Sequence, residues 1–327
     1  MKCRICGNKE SQEVFLVKEM MFGLRDEYEY FLCAACRCLQ IAQPVTDPKK
    51  LYPSDYYSFS AGGGKSGFTG KLKRWIIRGA VASGLESGRI NLKIFKERAR
   101  SLGVPALQGK VKKEDKILDV GCGDGALIKA LHELGFSHVT GIDSYIQSEI
   151  HAEGFKLLKK DFLELSGHAI YDVIMMHHSF EHMENPDEVL LHVKQLLSDN
   201  GKCIIRIPVA DSFAFEQYRE NWVQLDAPRH IFLHSNKSID MLAARAGLKV
   251  REIVNDSTEF QFIGSEQYRV GIPLRDYRSY FVPFYKKLFF NRKHIFSAAQ
   301  VQGFQRKAVE LNKEGRGDQR VFYLVKS

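Results

Sequence analysis

The chain has 327 residues, 44% of them hydrophobic, which is the composition of a globular protein with one large domain and one or two smaller ones. The first ten residues lack the apolar core of a signal peptide, and no run of 18 apolar residues occurs, so we expect a cytoplasmic protein without a membrane span. The net charge of +9 is concentrated in one region and is therefore a local feature.

Two CxxC pairs stand near the amino terminus. Cys3 and Cys6 form the first pair, Cys33 and Cys36 the second, and 26 residues separate the pairs. In a reducing compartment such pairs rarely form disulfides, whereas four thiolates suit the tetrahedral coordination of zinc. We therefore predict a structural zinc in a small zinc-ribbon-like module over residues 1–45, with a redox pair as the alternative.

The segment between the pairs is long enough for a β-hairpin. EVFLVKEM and YEYFLCAAC both have the β-branched and aromatic content of strands. Cys38 is a fifth thiol, which we expect to be a buried neighbour of the zinc site rather than a ligand.

Residues 46–110 are predicted to be a connector followed by a basic helical region. The connector, which contains LYPSDYYSFSAGGGKSG, is rich in Pro, Gly and Ser, as irregular chain usually is. From Lys65 to Lys113 there are 13 Lys or Arg and two acidic residues, and KLKRWIIRGAVASGL can form a basic amphipathic helix. Such a region attracts a phosphate-bearing substrate, nucleic acid or an anionic membrane surface, or it is simply a solvated helix.

From residue 111 onward, short apolar runs alternate with helical stretches, which is the pattern of a parallel α/β sheet. The predicted strands are residues 116–121, 139–143, 156–161, 171–176, 203–208 and 249–254, and the closing RVFYLVKS. We predict one doubly wound α/β domain over residues 111–327, with a helical insertion at about 256–319.

The stretch KILDVGCGDGALIKAL begins as a strand, passes through a glycine-rich turn and continues as a helix, as in many nucleotide-binding folds. A dinucleotide-binding turn faces a pyrophosphate, which acidic side chains would repel. This turn carries Asp119 and Asp124 and lacks the last glycine of G-x-G-x-x-G. A cofactor with cationic groups suits it better. S-adenosylmethionine carries an ammonium and a sulfonium, so the turn favours methyl transfer over hydride transfer.

LDVGCGDG resembles the first motif of the class I S-adenosylmethionine-dependent methyltransferases, and VTGID resembles the motif that ends in a ribose-binding acid. The resemblance implies a Rossmann-like sheet of seven strands. It also implies that Asp143 binds both ribose hydroxyls, which fits its position 20 residues beyond Gly123. KKDFLEL resembles the segment that borders the adenine, although Asp161 has the alternative role of a helix N-cap. The residues expected to contact the cofactor are Asp119, Gly121, Cys122, Gly123, Asp143, Ser144, Asp161, Phe162 and His177, with Tyr57 closing the site from the connector.

Five of the eleven histidines lie in two short segments, after the fourth and fifth predicted strands. An imidazole titrates near neutral pH, which suits removal of a proton from a hydroxyl or an acidic carbon. We predict that His182 or His230 is the general base and that Glu181 orients the imidazole. Two alternatives are open: a histidine here often only hydrogen-bonds the backbone, and Glu181 with His182 can hold a divalent metal, as in some related quinone O-methyltransferases.

The cysteine module, the connector and DAPRHIFLHSNKSIDMLAARAGL together resemble methyltransferases of cell-surface polysaccharide and deoxysugar pathways. The resemblance implies a small acceptor, a phosphate-bearing nucleotide sugar or a glycan precursor. Residues 256–319 are shorter than the carboxyl-terminal domain of sugar C-methyltransferases, which argues against methylation at carbon.

A second hypothesis is an RNA or protein methyltransferase that uses the zinc module and the basic region to bind the macromolecule. The basic stretch contains only three aromatic residues, Phe68, Trp75 and Phe95, which are few for stacking on bases. The segment after the fourth strand also lacks the Asn-Pro-Pro-aromatic turn that holds a flipped base. Nucleic acid is therefore the less favoured partner.

Overall fold

The computed structural model describes residues 1–45, 104–282 and 295–327. The predicted connector with Tyr57, and the predicted basic helix, lie outside the described residues. Within the part of the chain that is described, no helix is both long enough and apolar enough to cross a membrane.

The part of the chain that the structure describes contains twelve strands and six α-helices. The strands are β1 (Gln12–Lys18), β2 (Glu27–Cys33), β3 (Leu39–Ile41), β4 (Ile117–Val120), β5 (Val139–Ile142), β6 (Ile150–Ala152), β7 (Phe155–Leu158), β8 (Tyr171–His177), β9 (Leu197–Pro208), β10 (Phe232–Leu233), β11 (Leu248–Asn255) and β12 (Gln319–Lys326). The α-helices are α1 (Ala126–Glu133), α2 (Pro186–Leu196), α3 (Phe213–Tyr218), α4 (Asn236–Arg245), α5 (Phe260–Arg269) and α6 (Ala298–Lys313).

The large sheet has eight strands in the order β11-β12-β9-β8-β4-β5-β7-β6. Neighbouring strands from β7 to β9 run parallel, whereas β12 is antiparallel to both β9 and β11. The chain passes from β4 to β5 on one side and later returns to β8 on the other, so a crevice opens at the carboxyl ends of β4 and its neighbours. The predicted α/β, Rossmann-like doubly wound fold is confirmed.

The central strands are short and buried on both faces. All four residues of β4 are buried, and residues 173–176 of β8 are buried as well. Burial of this kind is typical of parallel strands that helices cover on both sides. The sheet has one strand more than the predicted seven: β6, a three-residue edge strand without an apolar pattern.

The amino-terminal cysteine module is not isolated from the rest of the molecule. Its sheet has the order β1-β2-β3-β10, so its fourth strand comes from residues 232–233, far along the chain. The buried side chains Phe31, Leu39 and Phe232 belong to one hydrophobic cluster that also contains residues of β4 and β8. The module therefore shares both a sheet and a core with the large α/β unit.

Candidate active site

The glycine-rich turn after β4 packs directly against the segment after β8. Gly121 has a φ of +75°, and a Cβ atom there would lie 2.5 Å from the Cβ of Ser179. The Ser179 hydroxyl donates to the Val120 carbonyl at 2.7 Å. Only glycine fits at position 121, because both the backbone conformation and the space exclude a side chain.

Asp143 follows β5 and ties the glycine-rich turn to the next loop. One carboxylate oxygen accepts from the Gly123 backbone N–H at 3.1 Å, and the other accepts from the Tyr145 N–H at 2.8 Å. Each carboxylate oxygen has a second lone pair for a further donor. Two hydroxyl groups of a ligand can therefore bind Asp143 without displacing either backbone contact.

Asp119 is 4% exposed and lies on β4 beneath the turn. Burial, with the nearby charge of Asp143 as a further cause, raises its pKa to about 7. Burial likewise raises the pKa of the Cys122 thiol, with Asp119 and Asp143 as further causes. Two carboxyl groups at this edge make it favourable for a cation and unfavourable for a phosphate.

The loop after β7 borders the same crevice. Asp161 accepts from the Leu163 N–H at 2.9 Å and caps the short 3-10 helix Phe162–Glu164. The predicted alternative role of Asp161 as a helix N-cap is therefore confirmed. Phe162 is buried and packs edge-on against His192, with ring centroids 5.0 Å apart. Cap and ligand contact are compatible, since Asp161 has a second carboxylate oxygen.

One cleft of about 1970 Å³ runs along the carboxyl edge of the sheet. It brings together all the described residues that the sequence predicted for the cofactor and the reaction except Glu181, which lies just beneath its surface. The predicted residues in the lining are Asp119, Gly121, Cys122, Gly123, Asp143, Ser144, Asp161, Phe162, His177, His182 and His230.

Glu181 is fully buried one turn beyond β8, among imidazole rings. Its carboxylate lies 3.3 Å from Nδ1 of His178 and 3.8 Å from Nε2 of His230. Burial opposes ionisation, but the hydrogen bond with His178 and the charges of the neighbouring imidazoles outweigh it and lower the pKa of Glu181 to about 2. The carboxylate is therefore charged at neutral pH and favours a positive charge beside it.

The hydrogen bonds of His182 and His230 fix which ring nitrogen carries the proton. Nδ1 of His182 lies 2.8 Å from the Arg229 carbonyl oxygen, and Nδ1 of His230 lies 2.7 Å from the Gln224 carbonyl oxygen. A carbonyl only accepts, so both Nδ1 atoms donate and both Nε2 atoms are acceptors in the neutral rings. Burial, with His182 as a further cause, lowers the pKa of His230 to about 4. The His230 ring is thus neutral at neutral pH, with Nε2 as its acceptor atom.

The same three side chains also meet the geometric requirements of a cation site. One ligand atom each from Glu181, His182 and His230 can be chosen so that all lie within 4.8 Å of one another. Metal-bound histidines typically donate their other N–H to a carbonyl, as both rings do here. The sequence indicated Glu181 and His182 as possible ligands; the structure adds His230.

A buried arginine that was not predicted from the sequence lies beside His177 and His178. Arg206, on β9, donates to Nε2 of His178 at 2.9 Å and to a carboxylate oxygen of Asp256 at 2.5 Å. His177 lines the cleft above it, and burial, with Arg206 as a further cause, lowers the pKa of His177 to about 3. The signal was present as a charged residue inside the apolar strand CIIRIP. His234, by contrast, is buried against Phe180 and Phe232 and belongs to the core.

The four predicted cysteine ligands converge at the base of the amino-terminal module. The sulfur atoms of Cys3 and Cys36 are 3.5 Å apart, as are those of Cys6 and Cys33, and all four lie within 4.8 Å of one another. Four sulfurs at about 2.3 Å from a common centre would have separations of this size. Cys38 is buried outside the cluster, with its thiol directed at the Leu39 carbonyl.

Hydrogen-bond donors surround these sulfurs as they surround thiolates. The Gln40 amide donates to Cys3 Sγ at 3.2 Å and the Asn8 amide to Cys33 Sγ at 3.7 Å. The hydrogen bond between Cys3 and Cys36 lowers the pKa of Cys3 and raises the pKa of Cys36. The donor set fits a tetrahedral zinc ion.

Comparison with known proteins points the same way as this geometry. Residues 92–253 match the model of a family described as a methyltransferase domain. A ubiquinone biosynthesis O-methyltransferase from Rickettsia canadensis is 30% identical over 154 residues, which are 42% of this chain and 64% of the relative. One of the same name from Rickettsia conorii is 35% identical over 99 residues, which are 28% of this chain and 34% of the relative. The chain thus spans less than two thirds of the relatives it matches.

Solved methyltransferase structures show a weaker likeness. A SAM-dependent methyltransferase from Archaeoglobus fulgidus is 17% identical with a TM-score of 0.42, over 74% of this chain and 97% of that one. The 1,6-didemethyltoxoflavin-N1-methyltransferase of Burkholderia thailandensis is 15% identical with a TM-score of 0.38, over 68% and 88% of the two chains. The fold is therefore assigned from the strand order of this chain itself. The family model of a methyltransferase domain matches residues 92–253, just under half of this chain.

Proposed function

We propose that this protein transfers the methyl group of S-adenosylmethionine to a hydroxyl group of a small-molecule acceptor. One observation carries the proposal. A carboxylate edge at Asp119 and Asp143, suited to a cationic cofactor, shares one cleft with the imidazoles of His182 and His230, which are suited to taking a proton. The methyltransferase domain match and the O-methyltransferase relatives support it.

For the cofactor, we propose that Asp143 binds the ribose hydroxyls and that the turn from Asp119 to Gly123 lies against the methionine part. Asp161 and Phe162 would border the adenine from the loop after β7. His177 and Ser144 would complete the contacts from the walls of the cleft. The proposed contact of Tyr57 stays a prediction from the sequence.

For the reaction, we propose that Nε2 of His182 or His230 takes the hydroxyl proton while the acceptor oxygen attacks the methyl carbon. The new bond is O–CH₃, the bond that breaks is S–CH₃, and the sulfonium becomes a neutral thioether. The proton moves to the imidazole, and the buried charge of Glu181 stabilises the imidazolium that forms.

A divalent cation at Glu181, His182 and His230 is the alternative use of the same side chains. It would lower the pKa of a bound acceptor hydroxyl, so that an imidazole need not take the proton itself. The two versions differ in one property: only the second requires a metal at Glu181, His182 and His230 for turnover.

For the acceptor, we propose a sugar, as a nucleotide sugar or glycan precursor. Beyond the proposed cofactor site the cleft is lined by groups that hydrogen-bond hydroxyls, among them Asp256, Asn312 and Gln305, next to the aromatic ring of Phe260. Such mixed polar and aromatic walls suit a polyhydroxylated ring better than a long apolar chain. A macromolecular acceptor has no support from the relatives, whose names specify a small-molecule pathway.

For the amino-terminal module, we propose one structural zinc ion held by Cys3, Cys6, Cys33 and Cys36. Zinc would link the start of the chain to the end of β2 and so fix the sheet that β10 completes.

The acceptor class can be tested by incubating the protein with S-adenosylmethionine labelled in the methyl group. We expect mass spectrometry to find the label on nucleotide sugars from a panel that also contains catechols and hydroxybenzoates. Label found only on the aromatic acceptors would replace the sugar proposal with a quinone precursor. Label on no small molecule, but on RNA or protein, would contradict both.

The cofactor site can be tested with Asp143→Ala. Loss of two charge-assisted hydrogen bonds, each worth about 1.5–3 kcal/mol, should weaken S-adenosylmethionine binding at least about tenfold in calorimetry. Asp187→Ala removes an exposed carboxylate that pairs with Arg245 and is the matched control, with affinity expected to be unchanged. Equal affinities in the two variants would show that Asp143 does not bind the ribose.

The base can be tested with His182→Ala and His230→Ala. Removal of the true base should lower turnover by ~100- to 10,000-fold while cofactor affinity stays near that of the unchanged protein. His151→Ala, at an exposed histidine on β6, is the control. Full activity in both variants would contradict the assignment. Loss of activity under chelation mild enough to leave the cysteine-bound zinc in place, with recovery on adding a divalent ion, would select the metal version.

The zinc site can be tested by elemental analysis of the purified protein. We expect about one zinc per chain, reduced in Cys3→Ser or Cys33→Ser, and unchanged in Cys203→Ser, where the cysteine is buried in β9. Protein that contains no zinc and whose four amino-terminal thiols react freely would contradict the proposal.

A further inference from the structure

We propose that Glu19 and Tyr30 of the amino-terminal module are positioning residues for His230, so that the module holds a histidine of the methyl-transfer site in place. The inference rests on the proposed function, because it gives His230 a role in the reaction. The contact between the module and the site runs through the backbone of residues 229–235.

Glu19 is a rigid carboxylate buried in the turn after β1, with 1% of its surface exposed. It accepts hydrogen bonds from four successive backbone N–H groups, those of residues 21–24, at distances of 2.9–3.2 Å. One of its oxygens also accepts from the guanidinium of Arg229 at 2.9 Å. A carboxylate fixed by its own turn in this way gives Arg229 one defined position.

Arg229 is buried between the module and the site. Its guanidinium pairs with Glu19 on one side and with Asp226 on the other, where the nearest atoms are 2.5 Å apart. Its carbonyl oxygen is the acceptor for Nδ1 of His182. A buried guanidinium that lost one carboxylate would be left partly uncompensated, so the pairing restricts where residue 229 can lie.

Tyr30 acts on the next residue. Its hydroxyl, fully buried on β2, donates to the carbonyl oxygen of His230 at 2.8 Å. The Ile41 N–H donates to the Ile231 carbonyl at 3.1 Å on the same side. On the opposite side, the Ile231 N–H donates to the Glu181 carbonyl at 2.9 Å. The backbone at His230 is therefore held between the module and the loop that carries Glu181.

A second contact between the module and the large domain provides a control, which distinguishes positioning of His230 from attachment of the module. Glu13, on β1, pairs with Arg219 at 2.6 Å, but both side chains are about half exposed and neither contacts the histidines. Glu13→Gln thus removes a comparable ion pair between the same two parts of the molecule. Tyr28→Phe is the corresponding control for Tyr30→Phe, since Tyr28 is a half-buried residue of the same strand.

The test uses the zinc-loaded full chain and measures turnover, acceptor KM and S-adenosylmethionine affinity in Glu19→Gln and Tyr30→Phe. We expect turnover to fall at least about tenfold in Glu19→Gln, with the cofactor affinity unchanged within about twofold. Glu13→Gln and Tyr28→Phe should keep the activity of the unchanged protein. Cofactor affinity also reports whether a variant is folded. Tyr30→Phe removes only one hydroxyl, so this variant remains informative if Glu19→Gln does not fold.

Double variants supply a readout that a merely structural role would not move. If Tyr30 acts through His230, whose carbonyl it contacts directly, adding Tyr30→Phe to His230→Ala should cause little further loss of turnover. Full additivity of the two losses would overturn the proposal, as would turnover within about twofold of normal in both Glu19→Gln and Tyr30→Phe.

The imidazole NMR signals of His230, assigned by their absence in His230→Ala, test the inference without reference to activity. We expect them to shift in Glu19→Gln and Tyr30→Phe but not in the two controls. Unmoved signals would overturn the positioning role. Shifted signals together with a fully active His230→Ala would instead refute the proposed base and leave the positioning role standing.

Discussion

A buried guanidinium joins the two parts of this molecule. Arg229 lies between Glu19 of the cysteine module and Asp226 of its own loop, and a buried charge is tolerated only where its partners are held in place. Around it, residues 229–235 supply a carbonyl to His182, the ring of His230 and the strand that completes the amino-terminal sheet. The position of the two histidines therefore depends on the module as well as on the large sheet.

The cofactor side of the cleft depends on a different constraint, the close approach of two loops at the carboxyl edge of the sheet. Gly121 permits the turn after β4 to touch Ser179, and Asp143 ties Gly123 to the loop after β5. The cost of this arrangement is a buried Asp119 beside a second carboxylate, with a raised pKa. A positively charged ligand would relieve that cost, which is why the edge suits a sulfonium cofactor better than a dinucleotide.

Features governed by local sequence could be predicted. The strands β4, β5 and β8 are mainly apolar, the glycine turn has a characteristic spacing, and two CxxC pairs limit the ligand set. Edge strand β6 could not be predicted, since three largely exposed residues carry no pattern.

Side-chain contacts between residues far apart in the sequence could not be predicted either. The Glu19–Arg229 contact joins residues 210 positions apart, and each lies close to another charged residue, Lys18 or Asp226, so no pattern marks either one as buried. Arg206 is an isolated charge inside an apolar strand, which indicates a buried partner but not that the partner is Asp256. His182 and His230 were predicted as alternatives, and the structure places their rings 4.9 Å apart.

The central claim is that the cysteine module and residues 229–235 form one structural unit. Hydrogen exchange followed by mass spectrometry, on the zinc-loaded protein and after chelation, tests it most directly. The account predicts faster exchange after chelation both in residues 1–45 and in residues 229–235, with residues 117–123 unchanged. Faster exchange confined to residues 1–45, with 229–235 still protected, would contradict it.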